Sequence, residues 1–184
     1  VDDDDASAGE CYGIRVNCAS NVDAAIDLVG GGIKFPATQA SSSNANTLDD
    51  YEEGVFDVTV TTGSGSLTVN SSVNSCAYTK IGRVVHVQGL ISFSAISSPS
   101  GDVYLDGLPF VNASGLGEGA PYQAGSVYMT GANTAVNNLV CFVDEATNNL
   151  HIREGGTTGT GNDVANHIDT GTSIFFQITY QIPA

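Results

Sequence analysis

Alternation of apolar and polar residues at a spacing of two runs through the chain from Val55 onward. Phe56, Val58 and Val60 alternate with Asp57, Thr59 and Thr61, and Leu67 and Val69 resume after Gly63-Ser64-Gly65-Ser66, which reads as a hairpin turn. The clearest strand spans Arg83–Phe93. Val85, Val87, Ile91 and Phe93 share one face, while Val84, His86, Gln88 and Ser92 share the other. Gly89 between them predicts a bulge or a close approach of backbone. Val103 and Leu105 bracket Tyr104, and Gly107-Leu108-Pro109-Phe110 ends that run because proline cannot donate to a ladder. Past the glycine-rich stretch Val111–Gln123, Val127 and Met129 flank Tyr128, and Leu139–Val143 is apolar on both faces. Leu150 and Ile152 alternate with His151 and Arg153. In Ser173–Ile182, residues Ile174, Phe176, Ile178, Tyr180 and Ile182 face one way. Roughly eight or nine short strands separated by turn residues predict an all-β domain, an antiparallel β-sandwich of jelly-roll type rather than a parallel sheet.

The chain before Val55 has a different character. Val1–Gly9 carries four consecutive Asp residues and is read as solvated. In Glu10–Gly32 the apolar residues Tyr12, Ile14, Val16, Val22, Ala24 and Ile26 form pieces too short to bury a face alone. Such pieces are stabilised when copies from several chains wrap together. Ala40–Asn46 is a linker of small residues. Asn46–Gly54 then predicts one or two helical turns, with Asn46 or Thr47 as N-cap, Asp49 and Asp50 in the first turn and Gly54 as the stop. The division is therefore a stem segment over residues 1–39, a linker and short helical junction over 40–54, and a β-rich head over 55–184.

Three motifs in one order carry a resemblance. Ile33–Gln39 followed by Asn46–Gly54, then Tyr78–Val85 (YTKIGRVV), then Gly107–Phe110 (GLPF) resemble the stem-to-head junction and head of bacteriophage tail-fibre and tailspike proteins. The likeness covers about Ile33–Phe110 and continues beyond it only in style. It implies a homotrimer with a short intertwined stem and a receptor-binding head. It further implies a place on the virion, in a tail or capsid fibre, with attachment to other virion proteins on the N-terminal side. The lack of a closely spaced cysteine framework makes assembly in a reducing host cytoplasm the simpler reading.

Composition narrows the partners. The 184 residues carry a net charge of −15 with five Lys plus Arg, so nucleic acid and anionic membrane are poor partners. No apolar stretch is long enough to span a bilayer and no signal peptide is evident. The four cysteines, Cys11, Cys18, Cys76 and Cys141, form no closely spaced framework. Cys76 and Cys141 sit at strand patterns as small buried hydrophobes do.

Candidate chemistry is sparse. The three histidines, His86, His151 and His167, have no motif around them, and Gly63–Ser66 lacks the spacing of a nucleophile elbow. Gly159–Asp163 echoes one turn of a glycine-aspartate calcium repeat, but a single copy lacks the neighbour that completes such a site. The expectation is accordingly no catalytic residue, no metal and no cofactor. A polysaccharide hydrolase or lyase of the tailspike kind is one alternative, and a purely structural trimerisation or capsid-decoration module is another. Sugars are held by aromatic faces and planar polar groups on a rigid scaffold. The candidates for contacting a host surface polysaccharide are Tyr122, Tyr128, Asn148, Asn149, His151, Arg153 and Asp163.

Overall fold

The computed structural model describes Ile33, Phe35, Leu48 and residues 50–116, 122–136, 138–155 and 163–183. The chain divides into two units, Val1–Phe35 and Pro36–Ala184. The expected stem (but for Ile33 and Phe35), the small-residue linker, Cys11, Cys18 and the glycine turn at 159–162 lie outside the described residues.

Within the second unit the fold is all-β. The strands are β1 (Tyr51–Asp57), β2 (Thr59–Val69), β3 (Ser75–Ile81), β4 (Val84–Asp106), β5 (Gln123–Thr130), β6 (Leu139–Val143), β7 (Asn149–Glu154) and β8 (Ser173–Gln181), with a 3-10 turn at Val164–His167. The pairings are antiparallel. The long strand β4 serves two layers. Its first half, Val84–Ser92, lies between β3 and β8, and its second half, from Phe93 to Asp106, lies between β2 and β7. Strand β5 does the same on a smaller scale, since Gln123–Gly125 pairs with β6 and Ser126–Thr130 pairs with β8. Strands β4, β7, β6, β5 and β8 thus close into a ring, with β3 and β1 continuing one layer and β2 flanking the other. The two layers expected of a sandwich are therefore continuous at both sides, and closure removes free edges along the ring.

The core lies between the layers and follows the alternation read from the sequence. Val85, Val87, Ile91 and Phe93 of β4 are buried, as are Ile174, Phe176, Ile178 and Tyr180 of β8 and Leu150 and Ile152 of β7. The Tyr180 hydroxyl donates to the Phe110 carbonyl at 3.0 Å, so this ring is buried without an orphaned polar group. Gly89 of β4 makes the close approach its position suggested. A Cβ there would lie 2.2 Å from Cys76 Sγ and 3.0 Å from the Phe176 ring. Gly125, where β5 changes partner, would place a Cβ 2.3 Å from the Gln177 carbonyl oxygen.

Two local expectations differ from the structure. Tyr51–Gly54 are not helical but open β1, which pairs residue for residue with β3 from Tyr51↔Ile81 to Asp57↔Ser75. An isolated helix of one or two turns is marginal, whereas this ladder pairs seven residues with β3. It also brings Asp50 into a buried ion pair with Lys80. Gly63–Ser66 is not a hairpin turn but a bulged part of β2, with register shifts between Thr62 and Ser64 and between Ser64 and Ser66. The opposing β4 segment is irregular as well, with Ser98 at φ 42° and Gly101 at φ 88°, and Gly65 at φ 70° lies against the Ser98 carbonyl.

Candidate functional site: the outer faces of the two layers

The seven candidate glycan contacts do not converge. His151 and Arg153 stand on the outer face of the layer formed by β2, the second half of β4, β7, β6 and the start of β5. The cross-strand row Thr61–Tyr104–His151–Phe142–Ala124 follows from the register, with Asp102 beside Arg153 in the next row. Although it alternates with the core residues Leu150 and Ile152, His151 is only 5% exposed. Its ring is stacked on Tyr104 at 4.2 Å and lies against Phe142 at 4.7 Å. Nε2 meets Asp102 Oδ2 at 2.8 Å, while Nδ1 is 3.9 Å from Asp144 Oδ2 and has no hydrogen-bond partner. Arg153 Nε approaches the same Asp102 oxygen at 3.4 Å, in a geometry that makes an ion pair but no hydrogen bond. Burial, and secondly the Asp102 charge, raise the Tyr104 hydroxyl above its ordinary range. The cluster is a small second core on the outside of the sheet, in which the Asp102 carboxylate faces both His151 and Arg153. Tyr104 and Phe142 each turn part of their surface to His151 and are themselves half-buried.

The other candidates serve the scaffold or stand apart. The Asn148 carbonyl accepts the Leu108 amide at 3.0 Å, and Asn149 pairs with Asp106. Asp163 Oδ1 accepts the Gly101 amide at 2.6 Å and its other oxygen takes the Asn166 side chain, fixing the β4 bulge to the 3-10 turn. Tyr122 is exposed just before β5. Glu154 faces His167 at 3.5 Å, and His167 also bonds Thr134. Among the described residues no three His, Cys, Asp or Glu side chains gather where a metal ion would sit. Cys76 and Cys141 are buried free thiols, and burial pushes each up to about 11.

Tyr128 belongs to a different surface. The layer β1–β3–β4–β8–β5 carries on its outer face a groove of about 520 Å³ crossing β3, β4, β8 and β5. Register places Ala77, Gln88, Gln177 and Ser126 in one cross-strand row and Leu90, Phe175 and Tyr128 in the adjacent row. Tyr128 is 64% exposed and Phe175 44% exposed, with ring centroids 6.0 Å apart and planes at 42°. A second depression of about 320 Å³, lined by His86, Ala124, Gly125, Ser126, Gln177, Ile178 and Thr179, adjoins the first at Ser126 and Gln177. His86 Nδ1 and Thr179 Oγ1 lie 3.0 Å apart across β4 and β8. Among the described residues no Asp, Glu, Lys or Arg lines either depression. Sequence reading singled out Tyr128 but missed Phe175, Gln88, Gln177 and Ser126. The available signal was Phe175 itself, a large apolar residue on the face that the other residues of β8 mark as polar.

No protein-family model and no curated protein matches the chain. Among solved structures, the chain is similar in fold to the crystal structure of the Dettilon tailspike protein (gp208). The TM-score is 0.54 at 14% sequence identity, covering 71% of this chain and 24% of that one. The likeness is to a tailspike-type fold, and this chain spans about a quarter of the tailspike's length. Among the described residues no helix is long and apolar enough to cross a membrane.

Proposed function

We propose that the chain is a receptor-binding module of a phage tail fibre or tailspike, which holds a host-cell surface glycan in the groove across β3, β4, β8 and β5 and does not cut it. The observation that carries this reading is the pairing of an exposed aromatic row, Tyr128 and Phe175, with a parallel row of amides and a hydroxyl, Gln88, Gln177 and Ser126. A sugar ring has the same two aspects, an apolar C–H face and an equatorial set of hydroxyls. A rigid sheet that presents both is suited to it. The tailspike-type fold supports the same reading. Among the described residues the groove lining holds no Asp or Glu, and glycoside hydrolysis uses paired carboxylates, which supports binding without cleavage.

In this account the module is a jelly-roll-like head on a homotrimer. Residues 1–39 form the intertwined stem that joins it to other virion proteins, and the assembled fibre is part of the virion. Three copies on one axis convert weak single sites into firm attachment. Fluorescent protein is expected to stain host cells and to lose that staining after periodate oxidation of their surface glycans. Staining that survives periodate overturns the glycan reading, and a monomer by light scattering at micromolar concentration overturns the trimer.

A further inference from the structure

Resting on that reading, we propose that the groove selects an uncharged glycan and spans at least two neighbouring sugar units, one held by its apolar face and the next by its hydroxyls.

The selection against charge follows from what surrounds the groove. A uronate or sialate unit brings a carboxylate that needs a cationic partner once it leaves water, and among the described residues no Lys or Arg lines either depression. The cations elsewhere on the described sheet are engaged. Lys80 is paired with Asp50, Arg83 donates to the Ile182 carbonyl at 2.9 Å and Arg153 faces Asp102. The chain as a whole carries −15, so its long-range field repels an approaching polyanion. An amino sugar in its cationic form is attracted by that field but finds no carboxylate among the described residues of the groove. Only an uncharged sugar meets the lining without an unpaired charge.

The length and polarity follow from the two depressions. They share Ser126 and Gln177, so a ligand lying along the sheet that fills both passes over these two side chains. The first offers Leu90, Tyr128 and Phe175, whose tilted rings form an apolar wall. That wall suits a unit with a flat C–H face or a methyl group in place of a hydroxyl. The second offers His86, Gln177 and Thr179, which supply donors and acceptors for a hydroxyl-rich unit.

The test is a printed array of bacterial surface polysaccharides, sorted into uncharged, uronate- or sialate-bearing, and amine-bearing, probed with the full chain at low and high salt. Oligosaccharides and their component monosaccharides are then titrated against wild type, Tyr128→Ala and Gln177→Ala, with circular dichroism confirming that both variants fold. The expected result is binding to uncharged glycans that salt leaves unchanged, at least about tenfold tighter for a di- or trisaccharide than for either sugar alone. Each substitution weakens it severalfold. Selective uptake of acidic or amine-bearing glycans that weakens with salt overturns the inference and leaves glycan binding standing. Monosaccharides bound as tightly as oligosaccharides, or unchanged affinity in both variants, also overturn it. Silence across the whole array overturns the glycan reading itself.

Discussion

Gly89 lies beneath the groove, where β3 leaves β4, and its replacement by alanine gives a sharp test of the packing. Its backbone is not in the left-handed region, so an added methyl costs no dihedral strain there and its effect is purely steric. That methyl would meet Cys76 Sγ at 2.2 Å, Cys76 Cβ at 2.8 Å and the Phe176 ring at 3.0 Å. Ordinary contacts begin near 3.5 Å, and overpacking a filled core costs about 1–3 kcal/mol. With the sulfur so deeply overlapped, Gly89→Ala belongs at the upper end, about 3 kcal/mol. For a domain of this size that corresponds to a fall in Tm of roughly 6–12 °C. Cys76→Ala alone removes one buried sulfur and costs about 1 kcal/mol. If the two acted independently the double variant would lose about 4 kcal/mol. Because removing the sulfur relieves the worst overlap, the expected loss is about 2 kcal/mol, a coupling of about 2 kcal/mol. Urea denaturation of the four proteins measures it. A Gly89→Ala protein within about 0.5 kcal/mol of wild type, or strictly additive losses, would refute the reasoning.

Four further outcomes follow from the same structure. Tyr180→Phe removes the donor to the Phe110 carbonyl and should cost about 1–2 kcal/mol in urea denaturation; an unchanged midpoint would show that water replaces the hydroxyl. Asp102→Asn should cost about 2 kcal/mol, because His151 and Arg153 lose their shared carboxylate, with the loss reduced by partial exposure of Arg153; it should leave glycan binding intact, and a lost signal on the array would place the ligand on the wrong layer. Burial raises Cys76 and Cys141 from 9.0 to about 11, so each favours the folded state fully below pH 9 and the benefit is lost as pH rises through 11. Denaturation curves at intervals across that window should show falling stability, less steeply in Cys141→Ala, and a flat profile contradicts the assignment. Tyr128→Ala should leave the midpoint within about 0.5 kcal/mol of wild type, since the ring is largely exposed; a larger loss would mark it as scaffold.

Strand identity was legible where one face is continuously buried. Arg83–Phe93 and Ser173–Ile182 showed it because Val85, Val87, Ile91, Ile174 and Ile178 have no alternative but the core. The extent of β4 was not legible, because Ser97-Ser98-Pro99-Ser100-Gly101 reads locally as a turn and is held extended only by its pairing with the equally irregular Thr62–Ser66. For the same reason Asn46–Gly54 offered convincing helix signals, while the decisive term for Tyr51–Gly54 was a ladder with β3 24–30 residues away. The candidate site was half visible. Tyr128 could be picked out as an aromatic between two core residues, but Gln88, Ser126, Phe175 and Gln177 become a site only through the β4–β8–β5 register, which is a long-range property. His151 and Arg153 looked like free binding groups because Asp102 and Tyr104, which engage them, lie about fifty residues earlier in the chain.

The most direct test of the central claim is to titrate isotopically labelled protein with an uncharged host polysaccharide fragment and follow the backbone amides by NMR. The account predicts shifts concentrated at Gln88–Leu90, Ser126–Tyr128 and Phe175–Thr179, with Tyr104, Phe142 and His151 unmoved. Shifts centred on β6 and β7 instead, with the β4–β8–β5 groove silent, would contradict it.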